Sequence, residues 1–337
     1  MLCAAARHAV AIALPQTRRA ARLGRTVDVA VSTSTDVAMG SGARPGRTKR
    51  PSSGGYRGAP IGAATMASTA QKQQQLATDK NTRWKSSMIT GASRGIGLEM
   101  VKQLLERGGS VVAACRRPSA ASELRSLASA PDVGERLMIV EMDVTSEASV
   151  SRAAEEVASR HQRLDLVINA VGILHDSNMM PETALNKVSA ESMLINYQTN
   201  AMGPLLVAKY FTDLLSARPK DMSDGIGVLA SISARVGSIS DNKLGGWYSY
   251  RASKAALNML MTNVALENVR RKRPFACILL HPGTVDTDLS KPFQRNVPEG
   301  KLFTRDQSVA YLLGVVDGVE MADNGKFIAW DAKEIAF

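Results

Sequence analysis

From residue 84 onward, short runs of apolar and β-branched residues alternate with amphipathic stretches that have helical periodicity. This pattern predicts seven strands, at Ser86–Thr90, Ser110–Cys115, Leu137–Glu141, Asp165–Asn169, Gly227–Ser231, Phe275–Leu280 and Lys326–Trp330. It also predicts long helices at Ile96–Arg107, Glu147–His161, Glu191–Ser216 and Ser249–Arg271. Strands that alternate with helices pair in parallel and carry helices on both faces. We therefore expect one α/β domain over 84–337, a doubly wound Rossmann-type fold with a mostly parallel sheet of about seven strands.

The first 80 residues have a different composition from the rest of the chain. Of the 42 Lys/Arg and 31 Asp/Glu residues in the protein, this segment holds 12 basic and only three acidic ones. It is rich in Ala, Arg, Ser, Thr and Gly and lacks apolar periodicity, as in an organellar transit peptide. We expect a disordered extension that addresses the protein to the plastid or, less favoured, the mitochondrion. A basic tail with no address is the alternative, and a start at Met66 would leave the protein cytoplasmic.

The charge distribution and the cysteines exclude several classes of function. The remaining 257 residues carry 30 basic and 28 acidic side chains, so the net charge of +11 gives no argument for nucleic-acid binding by the folded part. No run approaches the ~20 apolar residues that span a bilayer. Cys3, Cys115 and Cys277 have no paired spacing, so we expect neither a disulfide framework nor a metal site.

A glycine-rich turn joins the first predicted strand to the first predicted helix. It reads Thr90-Gly91-Ala92-Ser93-Arg94-Gly95-Ile96-Gly97. Gly91 permits a sharp turn, Gly95 lets a pyrophosphate approach the backbone, and Gly97 lets the helix pack closely on the strand. A phosphate there meets the free N–H groups at the positive end of the helix. A plain βα turn can also use glycines, but this context favours a dinucleotide site that includes Ser93, Arg94 and Ile96.

The end of the second predicted strand indicates which dinucleotide binds. It reads Ala114-Cys115-Arg116-Arg117-Pro118 and contains no carboxylate. NAD enzymes usually place an acidic residue there for the ribose 2′-hydroxyl, whereas a basic residue accommodates the 2′-phosphate of NADP. Arg94 adds positive charge near the same place. We therefore predict NADP(H) with Arg116 on its 2′-phosphate, the alternative being that Arg116 and Arg117 are solvated surface charges, which fits Arg117 better.

Tyr250 and Lys254 are the candidate proton-transfer pair. They are four residues apart at the start of a predicted helix and therefore lie on one face. A free phenol titrates near 10, and a neighbouring cation favours the phenolate. Tyr250 is thus a candidate general acid or base near neutral pH. Tyr248 is the rival phenol, but its partner four residues on is Ala252, which carries no charge.

The order and spacing of these motifs resemble the short-chain dehydrogenase/reductase family. The glycines follow a TGxxxGxG spacing, Asp143-Val144 follows the third predicted strand, and Asn169-Ala170-Val171-Gly172 resembles the NNAG of the family, with Ile168 and Val171 as departures. The runs 233–257, 280–297 and 325–331 are similar to C-factor-like members. The resemblance covers nearly all of 84–337 and implies no particular substrate.

The resemblance also implies roles for residues that the pattern alone does not assign. Ser233 would hold the substrate oxygen, with Ser231 as the alternative, and Asn200 would tie a water to Lys254 in a proton relay, with Asn196 as the competitor. Lys254 would bind the nicotinamide ribose as well. Further cofactor contacts would come from Asp143, Val144, Asn169, Ala170, Tyr250, Pro282, Gly283, Val285 and Thr287. The segment 289–303 would form a variable substrate lid.

Together these features predict an oxidoreductase that moves hydride between NADP(H) and a carbonyl or alcohol substrate, with Tyr250 as general acid/base. The alternative is a nucleotide-binding signalling or sensor protein that turns nothing over. Such a protein could lose Tyr250 or Ser233 yet keep the glycines, and this chain keeps all of them. A homodimer is one option for the oligomeric state, which the sequence leaves open.

Overall fold

The computed structural model of the protein describes residues 83–219, 221, 223 and 225–337. The predicted transit peptide and Met66 lie outside these residues. The strands are β1 (Ser86–Thr90), β2 (Ser110–Cys115), β3 (Leu137–Glu141), β4 (Leu166–Asn169), β5 (Gly227–Ile232), β6 (Phe275–His281), β7 (Thr284–Val285), β8 (Leu302–Phe303) and β9 (Phe327–Ala329). The α-helices are α1 (Gly95–Glu106), α2 (Ser122–Ala128), α3 (Glu147–Arg160), α4 (Ala190–Tyr197), α5 (Gly203–Ser216), α6 (Tyr248–Arg270) and α7 (Arg305–Asp317).

Seven strands form one sheet in the order β3-β2-β1-β4-β5-β6-β9. Every neighbouring pair in it is parallel. The strand order reverses between β1 and β4, which is the switch point at which doubly wound folds bind ligands. The predicted fold class, a Rossmann-type sheet of about seven parallel strands, is confirmed.

Helices cover both faces of the sheet because successive strand residues point to opposite sides. In β2, Val111 and Ala113 join the apolar cluster that contains α1 and α7, whereas Val112 and Ala114 join the cluster that contains α3, α5 and α6. Each full burial of a Val or Leu side chain contributes roughly 1.5–3 kcal/mol. Because β2 is buried on both faces, all five residues that follow Ser110 in this strand are apolar.

The prediction of one continuous helix over Glu191–Ser216 is wrong. The structure divides it into α4, a π-helical turn at Gln198–Met202, and α5. A π turn inserts one extra residue into a helix and commonly marks a functional site. The turn carries Asn200, which it directs into the protein interior.

The structure also contains elements that the pattern did not predict. The seven residues of α2 are too few to show a helical period. The start of α7 does carry a sequence signal, a capping box in which Thr304 and Gln307 satisfy each other's backbone N–H groups. β7 and β8 form a separate two-stranded sheet beyond the end of β6. Among the described residues, no helix combines the length and apolarity needed to cross a bilayer.

Candidate active site

The predicted site residues gather at the carboxyl edge of the sheet, where parallel α/β folds bind their ligands. The glycine-rich turn follows β1, Asn169 ends β4, Ser233 follows β5, and Pro282 follows β6. Tyr250 and Lys254 reach the same edge from the first two turns of α6. The chain thereby brings residues from five distant segments into one cleft.

The glycine-rich turn has the geometry of a phosphate cradle. Gly91 lies at φ +69°, in the left-handed region that favours glycine. A Cβ on Gly97 would lie 2.4 Å from the Gly91 carbonyl oxygen, so any side chain there would displace the turn. α1 begins at Gly95, its N-cap residue Arg94 provides no side-chain cap, and its first turn has no acidic residue. The first N–H groups of α1 are therefore available to an anion.

The turn after β6 faces this cradle from the opposite side. The Thr287 methyl carbon lies 3.8 Å from the position of a Cβ on Gly95. Pro282 is fixed because its carbonyl accepts a hydrogen bond from Ser308 Oγ at 2.8 Å. Gly283 packs so tightly that a Cβ would lie 2.6 Å from the Phe303 ring, and Val285 pairs with Phe303 in the small sheet. These contacts position the predicted cofactor residues Pro282, Gly283, Val285 and Thr287 opposite the glycines.

Other residues predicted to bind the cofactor lie at the ends of three neighbouring strands, β1, β2 and β3. Arg116 follows β2 and is exposed, while Ser93 and Ile96 are half-buried in the glycine-rich turn. Asp143 accepts hydrogen bonds from the N and Oγ1 of Thr145, at 2.9 and 2.7 Å. The next residue, Val144, is buried against Gly203. This end of the cleft is thus built of one exposed guanidinium and one half-buried carboxylate.

Asn169 and Ala170 close the cleft at the end of β4. Asn169 Nδ2 donates to Ser231 Oγ at 3.1 Å, and its Oδ1 is buried without a hydrogen-bond partner among the described residues. Thr90 Oγ1 accepts from the Ala170 N–H at 3.2 Å. A Cβ on Gly172 would lie 3.7 Å from Lys254 Nζ, so its absence leaves room beside the lysine. The cradle, the orphaned acceptor and this space fit a bound dinucleotide.

Tyr250 and Lys254 are both buried, with exposed fractions of 8% and 3%. Lys254 Nζ donates to the Ile232 carbonyl oxygen at 2.9 Å and lies 5.8 Å from the centre of the Tyr250 ring. The rival Tyr248 is 39% exposed and lies on the outer side of α6. The structure therefore places one phenol, that of Tyr250, beside the lysine.

Burial, rather than the lysine charge, dominates the titration of this pair. Burial raises the pKa of Tyr250 above its usual value of 10, because the phenolate loses its hydration. Burial lowers the pKa of Lys254 to about 8 for the same reason. We expected the lysine charge to bring the pKa of Tyr250 down toward neutrality, but in this geometry burial outweighs that effect and the pKa lies above its usual value. At neutral pH Tyr250 keeps its proton, which suits a proton donor.

Asn200 is fully buried and joins the two sides of the cleft. Its Oδ1 accepts from the Ile173 N–H at 2.8 Å, and its Nδ2 donates to the Ile173 carbonyl at 2.8 Å and to Ser253 Oγ at 2.9 Å. Ser253 in turn donates to the Tyr250 carbonyl at 2.8 Å. The competitor Asn196 belongs to the same network, because its Oδ1 accepts from Asn200 at 3.2 Å. The Asn200 side chain thus ties the π turn to α6, and the predicted water relay stays a prediction.

Ser233 turns toward α6. Its side chain is 2% exposed, and its hydroxyl donates to Asn258 Oδ1 at 2.7 Å. The orientation of the Asn258 amide is consistent with this, since its Nδ2 points at the Gly237 carbonyl at 3.4 Å. A serine hydroxyl has one proton, and this one is committed to Asn258. The substrate-binding role that the resemblance implies for Ser233 stays a prediction, and the alternative, Ser231, is engaged by Asn169.

A cavity of about 570 Å³ opens next to Trp247, the residue that precedes α6. Trp247 lines it and also contacts Tyr250 edge-to-face, with 6.3 Å between ring centroids. Phe293, from a 3₁₀ helix at Lys291–Asn296 within the predicted lid, packs on Trp247 at 4.9 Å. The other lining residues are Met180, Pro181, Glu182, Thr183, Lys187, Asn296 and Val297. The cavity is mostly apolar and has the size of a ligand pocket.

Sequence reasoning missed several residues of this site. Asn258 had a usable signal, because it continues the four-residue spacing of Tyr250 and Lys254 along one helix face. Glu182 had no such signal, since it contacts Ser249 across 67 residues of sequence. Asp288, which pairs with Arg94 at 3.3 Å, also had none. Among the described residues, no group of three or more His, Cys, Asp or Glu side chains could hold a metal ion.

A parallel sheet with a glycine-rich turn at its switch point and a buried Tyr–Lys pair defines the class of Rossmann-type oxidoreductases. A profile of the short chain dehydrogenase family matches residues 85–298. The chain therefore belongs to the short-chain dehydrogenase/reductase family, as its motifs predicted. The C-factor-like subgroup stays a prediction.

Individual relatives agree with this assignment. An uncharacterized oxidoreductase of Schizosaccharomyces pombe is 33% identical over 75% of this chain and 98% of its own length. The 1-hydroxy-2-glutathionyl-2-methyl-3-butene dehydrogenase of Rhodococcus is 33% identical over 71% of this chain and 94% of its own. Among solved structures, the NADPH-bound carbonyl reductase from chicken fatty liver superposes with a TM-score of 0.67 at 34% identity, over 76% of this chain and all of that one.

Proposed function

We propose that the protein is an NADPH-dependent carbonyl reductase that uses Tyr250 as its proton donor. The observation that carries the proposal is the position of the Tyr250 side chain, which is buried next to Lys254 and contacts Trp247, a residue that lines an apolar cavity. A proton donor and a cation lie together there, and Trp247 links them to a cavity large enough for a substrate. The likeness to a carbonyl reductase at 34% identity supports the same reaction class.

Several features support NADP(H) as the cofactor. The glycine-rich turn and the first turn of α1 would hold the pyrophosphate. Arg116 would meet the 2′-phosphate, because no carboxylate ends β2. The related chicken reductase is NADPH-bound. Lys254, together with Pro282, Gly283, Val285 and Thr287, would hold the nicotinamide end, as the family resemblance implies.

The proposed chemistry is a carbonyl reduction in which protein side chains manage the proton. NADPH held in the cleft would supply the hydride. Tyr250 donates its phenolic proton to the carbonyl oxygen, and its raised pKa ensures that the proton is present at neutral pH. Lys254, held by the Ile232 carbonyl, places a positive charge beside the phenolate that forms. General acid catalysis of this kind contributes typically ~10²–10⁴-fold.

The lining of the cavity indicates the kind of substrate that the site accepts. Its walls are aromatic and aliphatic at Trp247, Phe293, Met180 and Val297. Four polar residues also line it: Thr183 and Lys187, which hydrogen-bond each other, Asn296, and Glu182, whose carboxylate is engaged by Ser249. We therefore propose a carbonyl compound with an apolar body as the substrate class.

Tyr250→Phe tests the proposal, with Tyr248→Phe as the matched control. Tyr250→Phe removes one oxygen but keeps the ring, so NADPH affinity should stay unchanged while kcat falls by at least ~10²-fold. Tyr248→Phe should keep wild-type turnover, because Tyr248 is exposed on the outer side of α6. Purified protein would be assayed with NADPH against a panel of apolar aldehydes, ketones and quinones. Full activity of Tyr250→Phe would refute the assignment, and tight NADPH binding by a wild type that reduces nothing would favour the sensor alternative.

A further inference from the structure

The helix that carries Tyr250 begins without a cap of its own. Its N-cap residue is Trp247, which lies at φ 50° and makes no side-chain hydrogen bond to the first turn. An indole N–H is a donor only, so this side chain could not accept from a backbone N–H. The first N–H groups of a helix need acceptors from elsewhere when the helix end is buried.

Glu182 supplies those acceptors from 67 residues upstream. Its Oε2 accepts from the Ser249 N–H at 3.2 Å, and its Oε1 accepts from the Ser249 hydroxyl. Its main-chain carbonyl accepts from the Trp247 N–H at 2.6 Å. The side chain is only 3% exposed. One residue thus binds both Trp247, the N-cap, and Ser249, the second residue of α6.

This arrangement replaces a helix cap by a tertiary contact. An N-cap side chain normally accepts from the second or third N–H of its own helix, and Glu182 accepts from the second. A carboxylate is also favoured at the positive end of a helix. Tyr250 is the residue directly after Ser249, so Glu182 holds the turn that carries the phenol.

The same segment forms a wall of the substrate cavity. Met180, Pro181 and Thr183 line the cavity next to Glu182, and so does Trp247. We propose that Glu182 is a positioning residue, which fixes the Tyr250 phenol by capping α6 from the cavity wall. The reaction that the phenol serves rests on the proposed function above. Loss of the cap should therefore impair the proton-transfer step more than substrate or cofactor binding.

Two substitutions at Glu182 test this role through kinetics. A misplacement of about 1 Å at a reacting group can cost roughly 10²-fold in rate, so we expect Glu182→Ala to lower kcat about 10²-fold. KM for the substrate and for NADPH should change about two-fold or less. Glu182→Gln should recover much of kcat, because its amide oxygen can accept from the Ser249 N–H while its NH₂ donates to the Ser249 hydroxyl. Should Glu182→Ala not fold, Ser249→Ala, which removes one of the contacts, should lower kcat in the same direction.

Thr304→Ala is the matched control, because it removes a side-chain cap from α7. It should lower thermal stability without lowering kcat. A fall in kcat as large as that of Glu182→Ala would show that any lost cap slows the enzyme, and would overturn the specific role. A rise in KM at unchanged kcat in both Glu182→Ala and Ser249→Ala would do the same.

Hydrogen exchange gives a readout that needs no substrate. Amides of residues 248–251 should exchange faster in Glu182→Ala, or in Ser249→Ala, than in wild type or Thr304→Ala. Unchanged exchange would show that Glu182 does not cap α6, whatever reaction the protein performs. Faster exchange in a protein whose wild type reduces nothing would support the cap and contradict the proposed function alone.

Discussion

The Lys254 ammonium nitrogen lies 5.8 Å from the centre of the Tyr250 ring, one helical turn along α6. Burial changes the pKa of the two groups in opposite directions, lowering that of Lys254 to about 8 and raising that of Tyr250. Both groups therefore carry their protons at neutral pH. As the pH rises, the lysine loses its proton first.

This order predicts the alkaline side of the pH profile for reduction. The positive charge of Lys254 is present below pH 8 and is lost above it, so kcat/KM should be level below about 8 and fall above. The Tyr250 proton is lost at still higher pH, so it does not determine where kcat/KM begins to fall. kcat/KM reports the ionisation of the free enzyme.

Lys254→Arg and Tyr248→Phe are the comparison variants for that profile. An arginine stays charged throughout the accessible range, so Lys254→Arg should lose the fall near pH 8 even at a lower rate. Tyr248→Phe should keep the wild-type profile. A wild-type profile that stays level to pH 10 would contradict the assignment of the limb to Lys254.

The cofactor preference is the second prediction. Arg116→Asp places a negative charge where the 2′-phosphate of NADPH would lie and an acceptor where the 2′-hydroxyl of NADH would lie. We expect NADPH affinity to fall at least ten-fold and the preference for NADPH over NADH to narrow or reverse. Arg117→Asp, at the neighbouring exposed arginine, should have a smaller effect. Fluorescence titration of both cofactors measures this, and equal or tighter NADH binding by the wild type would refute the preference.

The fold could be predicted because its signals are local. β1 and β2 have the predicted bounds, since each is an apolar run limited by a turn. The π turn at Gln198–Met202 could not be predicted, because one inserted residue hardly alters the apolar period around it. Within the site, Tyr250 and Lys254 are neighbours on one helix and were found. Glu182 contacts Ser249 and Asp288 contacts Arg94, and these pairs are 67 and 194 residues apart in the sequence. A local sequence pattern could therefore not predict either contact.

The Arg94–Asp288 pair gives the third prediction. Arg94 NH1 lies 3.3 Å from an Asp288 carboxylate oxygen across the mouth of the glycine-rich turn, and both side chains are about three-quarters exposed. A cofactor phosphate near Arg94 has to compete with this carboxylate. Since exposed pairs contribute about 0–1 kcal/mol, Asp288→Asn should tighten NADPH binding by up to about five-fold.

Asp286→Asn is the control for that variant, because the Asp286 carboxylate accepts from Gln294 at 2.8 Å. It should leave NADPH affinity close to that of the wild type. The gain in Asp288→Asn should also shrink at high salt, which screens exposed charges. Weaker NADPH binding in Asp288→Asn at low salt would show that the carboxylate assists the cofactor and does not compete with it.

Ser233 gives the fourth prediction, which separates its contact in the structure from the role that the family resemblance implies. The Ser233 hydroxyl donates to Asn258 Oδ1 at 2.7 Å in an almost fully buried position. Ser233→Ala leaves this acceptor unsatisfied, so the free energy of unfolding should fall by about 1–3 kcal/mol. Because that proton is donated to Asn258, kcat should fall less than ten-fold.

Asn258→Ala removes the other partner and completes a double-mutant cycle with Ser233→Ala. Residues in direct contact lose less stability together than the sum of their separate losses, so the cycle should show coupling of at least about 0.5 kcal/mol. Chemical denaturation measures the stabilities, and steady-state assays with NADPH measure kcat. A kcat loss of ~10²-fold in Ser233→Ala at full stability would instead place this hydroxyl on the substrate oxygen, because a stability role alone leaves the chemistry of the folded protein intact.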